Sequence, residues 1–424
     1  MKEALMAKTL TVLLVGLAPV VSFFAFRGTV VLLLALALVG LWSERGRCLA
    51  LPPLRLWLVL LAMLLAWAGL SALWAQAAGL ALPKTASLVP LVLAGGIVLN
   101  YFRSMDPVMA RRIVVALLIG LAATAVVAGI DGRTGAKVFR FVHDLGREPL
   151  AADRSYALPK AAATLCAIWG VICAAICWSW GWRGRAAVPV VAAAILVWSV
   201  SSNTGLLALA AGLGMFVVGA ISAWLGRTLM AAAIIATFAA APFASSLPDT
   251  MDIAMRFPWL PHSGLHRLAI WHFTGQRIDE HSILGWGMDG ARSVPGGEDN
   301  SLVTLHYGGE PFNPDNNCLA KTTCVLAQQN LPLHPHNFAL QVWLELGAVG
   351  AALFAAMLLA VMAAATRIEK WATAPFLATM TAVLVVASTA YGIWQAWWLA
   401  SIWFTAAIGI AAFRVPTEAT RQSS

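Results

Sequence analysis

The sequence predicts an all-α polytopic integral membrane protein with about 12 transmembrane helices and one large loop outside the membrane that itself contains helices. Three observations support this prediction. The 424 residues are 60% hydrophobic and 11% charged, with a mean hydropathy of +0.80. Apolar runs of span length recur along most of the chain, and the polar residues are gathered in two segments. This composition excludes an ordinary soluble enzyme, because soluble domains carry about 25% charged residues.

Apolar runs long enough to cross a bilayer can be followed in order along the chain. The first run is interpreted as a span and not as a cleaved signal peptide, because no small-residue cleavage site follows it. The runs next to Asn203 and Gln395 are short enough to be re-entrant, which leaves the number of spans open by about two. The approximate limits are 9–26, 29–43, 55–75, 86–101, 113–130, 160–180, 187–202, 205–225, 228–246, 337–365, 372–392 and 396–413.

Basic residues in the short loops predict the orientation of the chain. Cytoplasmic loops of membrane proteins are enriched in Lys and Arg. If the N-terminus is cytoplasmic, the opposite short connections hold few basic residues, apart from Arg27 and Lys84. The short loops on the cytoplasmic side then hold Arg45, Arg47, Arg103, Arg111, Arg112, Arg183, Arg185, Arg227, Arg367 and Lys370. We therefore expect both termini in the cytoplasm. The net charge of +9 is dispersed over these span ends, so no nucleic-acid partner is expected.

This orientation divides the chain into three parts. Residues 1–246 form transmembrane helices 1–9, with a basic outer loop at 131–159. Residues 247–336 form the large outer loop, and residues 337–424 form transmembrane helices 10–12 and a cytoplasmic tail. All eight histidines fall in the two outer segments. The polar chemistry is therefore expected outside the cytoplasm, which favours the periplasmic face of a bacterial inner membrane.

The first outer loop is basic, which opposes the usual charge bias of membrane proteins. One interpretation is an interfacial site for an anionic ligand such as a lipid pyrophosphate, which arginine grips through two hydrogen bonds. The other is a solvated loop neutralised by its own acidic residues. Arg154 and Lys160 are the preferred candidates for a ligand contact, because they enter the following span.

The second outer loop begins with an amphipathic helix over 263–278, in which Arg267 lies away from the apolar edge. Glycine-rich turns follow it, without the Gly-Lys-Ser/Thr of a phosphate-binding loop. The histidines of this loop lack the spacing of a metal site, so neither a metal nor another cofactor is expected. Cys318 and Cys324 either close a small disulfide loop or remain free thiols.

The stretch from Leu331 to Phe354 is the most informative part of the sequence. His334 and His336 precede a hydrophobic helix, and Asn337, Gln341 and Glu345 share one face of it because they recur every four residues. A polar stripe in a membrane helix normally faces a protein interior or a wet cavity. The alternative is purely structural: His336 packs against the helix end and Glu345 pairs with a buried donor.

These features resemble the O-antigen ligase and polymerase superfamily over residues 187–365. In that family, a loop helix bearing an arginine precedes a histidine–asparagine motif that opens the next span. Arg267 in SGLHRLAIW, the turn 284–287 and the H-N-x-x-x-Q-x-x-x-E-x-G pattern that starts at His336 match it. The sequence departs from the family at Asn203, where an arginine often follows the serine.

The resemblance implies transfer of O-antigen from undecaprenyl pyrophosphate to a hydroxyl of the lipid A-core oligosaccharide. It favours the ligase over the repeat-unit polymerase and the protein O-glycan ligase. It implies a metal-independent, inverting reaction with His336 as general base and Arg267 stabilising the leaving phosphate. The expected substrate-binding residues are Arg154, Lys160, His334, Asn337, Gln341 and Glu345. A lipid-linked glycan flippase is the rival class, but the sequence shows no internal repeat of the kind that transporters carry.

Overall fold

The computed structural model describes residues 2–44, 46–49, 55–144, 159–248, 250–257, 259–260, 262–306, 323–365 and 370–415. Helices dominate these ranges. They are α1 (Lys2–Ala25), α2 (Gly28–Ser43), α3 (Leu56–Leu70), α4 (Ala78–Arg103), α5 (Pro107–Thr134), α6 (Lys137–Asp144), α7 (Pro159–Ser179), α8 (Arg183–Ser199), α9 (Asn203–Ile221), α10 (Ala223–Ala240), α11 (Thr250–Arg256), α12 (His262–Glu280), α13 (Phe338–Ala364), α14 (Thr373–Thr389) and α15 (Ala396–Ala412).

Within the described ranges, 9 helices are long and apolar enough to cross a membrane. The shorter α2 and α15 are also apolar, and each predicted run falls mainly on a helix. The chain is therefore consistent with a polytopic membrane protein. The total of about 12 spans stays a prediction, since α2, α8 and α15 are each shorter than 18 residues, against the ~20 that a bilayer core requires.

One small antiparallel ribbon departs from the all-α expectation. Strand β1 (Asn300–His306) pairs with β2 (Thr323–Gln329), from Asn300 opposite Gln329 to His306 opposite Thr323. The β-branched and apolar residues of these strands suit a pleated ribbon, and they lie in the loop whose fold the sequence left open. Cys324 lies in β2, whereas Cys318 is outside the described residues, so the disulfide stays a prediction.

Helix α7 forms the centre of the bundle. Its window of span length is 94% buried, and it is hydrophobic all round, as a central helix must be. Small residues allow close approach by its neighbours: a Cβ added at Gly170 would lie 2.8 Å from the Cβ of Ala193 and 3.0 Å from the Pro189 carbonyl of α8. This is the small-residue packing typical of membrane helices.

Helix α13 is interrupted at Gly347, where φ is 63° and ψ is −165°. The turn 282–287 that follows α12 fills the interruption. The amide of Ala348 donates to Ser282, while the amides of Trp286 and Gly287 donate to the carbonyls of Leu344 and Glu345, all at 2.8 Å. Irregular backbone at membrane depth is tolerated only where protein satisfies it, and this turn does so.

Two glycines make this contact possible. A Cβ at Gly285 would lie 2.5 Å from the Glu345 carbonyl oxygen and 2.6 Å from the Gly347 amide. A Cβ at Gly347 would press on the Ile283 carbonyl. Both glycines also have positive φ, at 72° and 63°, in the region where other residues are strained.

We expect Gly347→Ala to lower the thermal unfolding midpoint of the purified protein. Backbone strain of about 1–3 kcal/mol would add to the clash with the turn. Gly96→Ala is the matched control, because Gly96 lies in a helix with open space where a Cβ would stand. Equal unfolding midpoints for the two variants would show that the Gly347 contact is not needed for stability.

Candidate functional site

The turn 334–337 leads from the loop into α13 and is fixed at both of its ends. His336 has a left-handed backbone, with φ at 54°. The indole N–H of Trp271 in α12 donates to the Pro335 carbonyl at 2.9 Å. The Asn337 side chain caps α13 by accepting from the amides of Ala339 and Leu340 at 3.0 and 3.2 Å. The two histidines are therefore held in place by backbone geometry.

The ring of His336 is held in one tautomer. Its Nδ1 lies against the carbonyl oxygen of Ala390, which can only accept, so Nδ1 carries the proton. Nε2 then has a free lone pair, and no other hydrogen bond to this ring is found among the described residues. Burial lowers the pKa of His336; the Ala390 bond opposes this effect, and the charge of Arg267 adds to it. His336 is therefore a neutral base near neutral pH.

His334 is surrounded by donors. The amide of His336 points at Nδ1 and the amide of Gly392 at Nε2, both at 3.2 Å, with the Gln395 side chain 3.4 Å from Nε2. Burial lowers the pKa of His334 to about 3, helped by the charges of His336 and Arg292. A neutral imidazole has one lone-pair nitrogen, so only one of these donors makes a full hydrogen bond. The ring links the turn 334–337 to the turn 390–395.

The polar stripe of α13 faces the protein interior. Glu345 is 0% exposed and Gln341 is 4% exposed. Gln341 accepts from the Ile393 amide at 2.9 Å and donates to Glu345 Oε1 at 2.9 Å. Glu345 Oε2 accepts from the Trp394 indole at 2.7 Å and from the Asp289 amide at 2.8 Å. The carboxylate therefore joins α13 to the turn 390–395 and to the residues after α12.

Arg267 brings a positive charge to the site. It is half-buried, and among the described residues it forms no ion pair or hydrogen bond. Burial lowers its pKa, and Tyr391 acts in the opposite direction. Its charge in turn lowers the pKa of His336. A desolvated guanidinium without a carboxylate is suited to bind an anion.

Tyr391 connects this charge to α7. Its hydroxyl lies 3.0 Å from Thr164 Oγ1, one turn beyond Lys160. Burial raises the pKa of Tyr391 to about 12, against the effects of Thr164 and Arg267. Lys160 itself is exposed at the start of α7. The predicted partner Arg154 lies outside the described residues.

The structure thus gathers most of the predicted residues at one end of the bundle. His334, His336 and Asn337 share one turn, Gln341 and Glu345 lie below it, and Arg267 is close enough to act on His336. The turn 390–395, whose Tyr391 and Trp394 complete the arrangement, was not predicted from the sequence as part of the site. The sequence feature that could have indicated this turn is the polar and aromatic stretch STAYGIWQ, residues 388–395, within an apolar region. Within the described ranges, no group of three or more His, Cys, Asp or Glu side chains could hold a metal ion.

Comparisons with known proteins give a partial match. No family model matches the chain. It is 31% identical over 157 residues to a "Putative polysaccharide ligase" of Rickettsia conorii, covering 37% of this chain and 34% of that protein. A protein of the same name from Rickettsia prowazekii is 31% identical over 160 residues, with the same coverage. One from Rickettsia felis is 29% identical over 160 residues, again with that coverage.

The chain spans about a third of the length of the curated relatives it matches. The similarity supports a protein of the glycan-ligase kind, and the apolar helices place it among membrane proteins.

We expect Glu345→Gln to lower the thermal stability by about 1–3 kcal/mol. Donors approach both oxygens of Glu345, so either orientation of a glutamine amide would put an NH₂ group against a donor. The double variant Gln341→Glu/Glu345→Gln should recover much of the loss. In the double variant, position 345 accepts from Trp394 and Asp289 and donates to position 341, which still accepts from Ile393.

Thermal unfolding of the wild type and of the two variants checks this expectation. Similar midpoints for the single and double variants would show that stability depends on the charge at position 345 and not on the donor pattern. A single variant as stable as the wild type would contradict the role of the carboxylate as a cross-link.

Proposed function

We propose that this protein is an O-antigen ligase, a glycosyltransferase acting at the periplasmic face of the bacterial inner membrane. It moves a glycan from undecaprenyl pyrophosphate to a hydroxyl of the lipid A-core oligosaccharide. The observation that carries the proposal is the neutral His336 ring, with Nδ1 tied to Ala390, near the charge of Arg267; among the described residues, Nε2 has no hydrogen-bond partner and Arg267 no ion pair. The names of the Rickettsia relatives support the reaction class.

The free Nε2 of His336 gives the base that such a transfer requires. The acceptor O–H loses its proton to Nε2 as its oxygen bonds to the anomeric carbon of the donor sugar. The bond from that carbon to the pyrophosphate oxygen breaks, and its electron pair leaves with the pyrophosphate. One displacement inverts the anomeric centre. Because burial and Arg267 keep the pKa of His336 low, the ring is ready to accept the proton at neutral pH.

Arg267 stabilises the charge that develops on the leaving pyrophosphate. Its guanidinium is partly desolvated and has no competing carboxylate among the described residues, so its interaction with an anion is strong. Lys160 guides the pyrophosphate from the start of α7, where the lipid tail can lie between helices, and Arg154, outside the described residues, is the second expected contact. This step requires no metal ion, because arginine and lysine supply the positive charge.

The remaining polar residues position the base. Asn337 caps α13 beneath His336, and His334 links its turn to the turn 390–395 that carries Ala390. Gln341 and Glu345 hold that same turn through Ile393 and Trp394. The hydrogen-bonding atoms of Gln341 and Glu345 already have partners within the protein. This supports an indirect role for both residues in place of the direct substrate contact expected from the sequence.

The polymerase and the protein O-glycan ligase of the same superfamily would use the same base and differ in the acceptor. A flippase would require no base at the outer surface. The dependence of turnover on the acceptor separates the polymerase and the protein O-glycan ligase from the O-antigen ligase. The absence of any covalent product would identify a flippase.

We expect His336→Ala to reduce glycan transfer by about 10²–10⁴-fold, because a general base contributes on that order. The assay uses purified protein, an undecaprenyl-pyrophosphate-linked donor and rough lipopolysaccharide, with EDTA present. His281→Ala is the control, since His281 is an exposed histidine of the same loop. Full transfer by the His336 variant would refute the base assignment. Polymer formed by the wild type without acceptor would replace the ligase by the polymerase.

We expect Arg267→Gln to lower transfer by about 10²–10³-fold and to alter its pH profile. In the wild type the acid limb should lie below pH 6.5, the ordinary pKa of histidine, because the pKa of His336 is lowered. Activity is lost as the pH falls through that pKa and the base becomes protonated. Removing the Arg267 charge raises the pKa, so the acid limb should move to higher pH. Arg267→Lys should keep the wild-type limb.

The pH profile of kcat/KM, measured for the three proteins, tests this expectation. An acid limb that stays in place in Arg267→Gln would show that the titrating group is not His336, or that Arg267 does not act on it.

A further inference from the structure

The end of the bundle opposite His336 holds a cavity that the proposed reaction does not use. Its volume is about 290 Å³. It is lined by Arg103, Ser104, Met105 and Pro107, where α4 meets α5, and by Arg414 and Val415 after α15. Helix α15 begins beside Gln395, which contacts His334, and its 17 residues span about 25 Å. The cavity is thus nearly one bilayer core away from the candidate active site.

Positive charge dominates the cavity. Arg103 and Arg414 are both exposed, and the Arg414 guanidinium donates to the backbone carbonyl of Arg103. Neither forms an ion pair among the described residues. Of the acids near the cavity among the described residues, Asp106 pairs with Lys8 at 2.9 Å, and Glu44 accepts from the Ser104 hydroxyl at 3.1 Å. Within the part of the chain that the structure describes, the two arginines of the cavity are therefore available to an anion.

The cavity also has apolar walls. Met105, Pro107 and Val415 line it beside the arginines, and Val108, next to it on α5, is 61% exposed. At about 290 Å³ it lies near the lower limit for ligand pockets, which suits a headgroup and not a whole lipid. Basic pockets between the ends of membrane helices are typical sites for anionic headgroups.

We propose that this cavity binds the phosphate headgroup of an anionic membrane phospholipid. Arg103 and Arg414 grip the phosphate oxygens, since guanidinium groups match phosphate geometry. The apolar residues contact the glycerol, and the acyl chains follow the lipid-facing side of α5. The orientation predicted from the basic loops places the site at the cytoplasmic leaflet, which carries anionic lipid.

Native mass spectrometry of the full chain in neutral detergent tests this proposal. The wild type should retain phosphatidylglycerol in preference to phosphatidylcholine of the same chain length. The variant Arg103→Gln/Arg414→Gln should bind phosphatidylglycerol about tenfold more weakly, because each interfacial arginine adds to the attraction. Its weak binding of phosphatidylcholine should be unchanged, which also shows that the variant is folded.

Two further variants test whether the lipid binds in this cavity or is attracted by surface charge in general. Arg183→Gln/Arg185→Gln removes the same charge from arginines that lie over the rings of Trp178 and Trp182, and it should bind lipid like the wild type. Ser104→Trp fills the cavity and keeps both arginines, and it should lose phosphatidylglycerol binding. Equal loss in the control pair, or full binding by Ser104→Trp, would overturn the proposal.

Competition with inorganic phosphate distinguishes a lipid headgroup from a free phosphate ion as the ligand of the cavity. If the lipid headgroup is the ligand, excess inorganic phosphate should displace phosphatidylglycerol only weakly, because it lacks the glycerol and acyl contacts. Complete displacement by inorganic phosphate at comparable concentration would identify the site as one for the free ion and would overturn the lipid assignment.

Discussion

A buried carboxylate in a candidate membrane-spanning helix organises the end of the bundle that carries His336. Glu345 lies about 10 Å below the start of α13, by the rise of 1.5 Å per helical residue. An isolated carboxylate at that depth would be strongly unfavourable. Here Gln341, the Trp394 indole and the Asp289 amide all donate to it. The carboxylate therefore holds α13, the turn 390–395 and the residues that follow α12 together.

The interruption of α13 belongs to the same arrangement. Unwinding at Gly347 frees carbonyls that a regular helix would use internally, and a buried carbonyl requires a partner. Amides of the turn 282–287 donate hydrogen bonds to two of them, and the Trp67 indole donates to the Leu346 carbonyl at 3.0 Å. The turn after α12 is thereby inserted into the helix bundle. This fixes α12, and with it Arg267, relative to His336.

The sequence allowed much of this to be predicted, within clear physical limits. The apolar runs predicted the helices because the lipid and the protein core both require apolar side chains. The four-residue spacing of Asn337, Gln341 and Glu345 correctly indicated an inward-facing stripe. Its partners could not be predicted, since the amides of Ile393 and Asp289 carry no sequence signal. The break at Gly347 was also missed, because a glycine in a membrane helix usually indicates close packing. The roles assigned to His336 and Arg267 remain predictions.

The insertion of the turn 282–287 into α13 also constrains the order in which the chain can mature. Gly285 and Glu345 are 60 positions apart in the sequence, so the turn leaves the ribosome well before its partner. Until α13 has been synthesised, the Gly285 turn lacks its acceptor carbonyls and the Asp289 amide lacks its carboxylate. The segment between α10 and α13 can therefore complete its fold only after α13 has been made. The geometry of the His336 site forms later still, because it also requires Ala390 in the turn after α14.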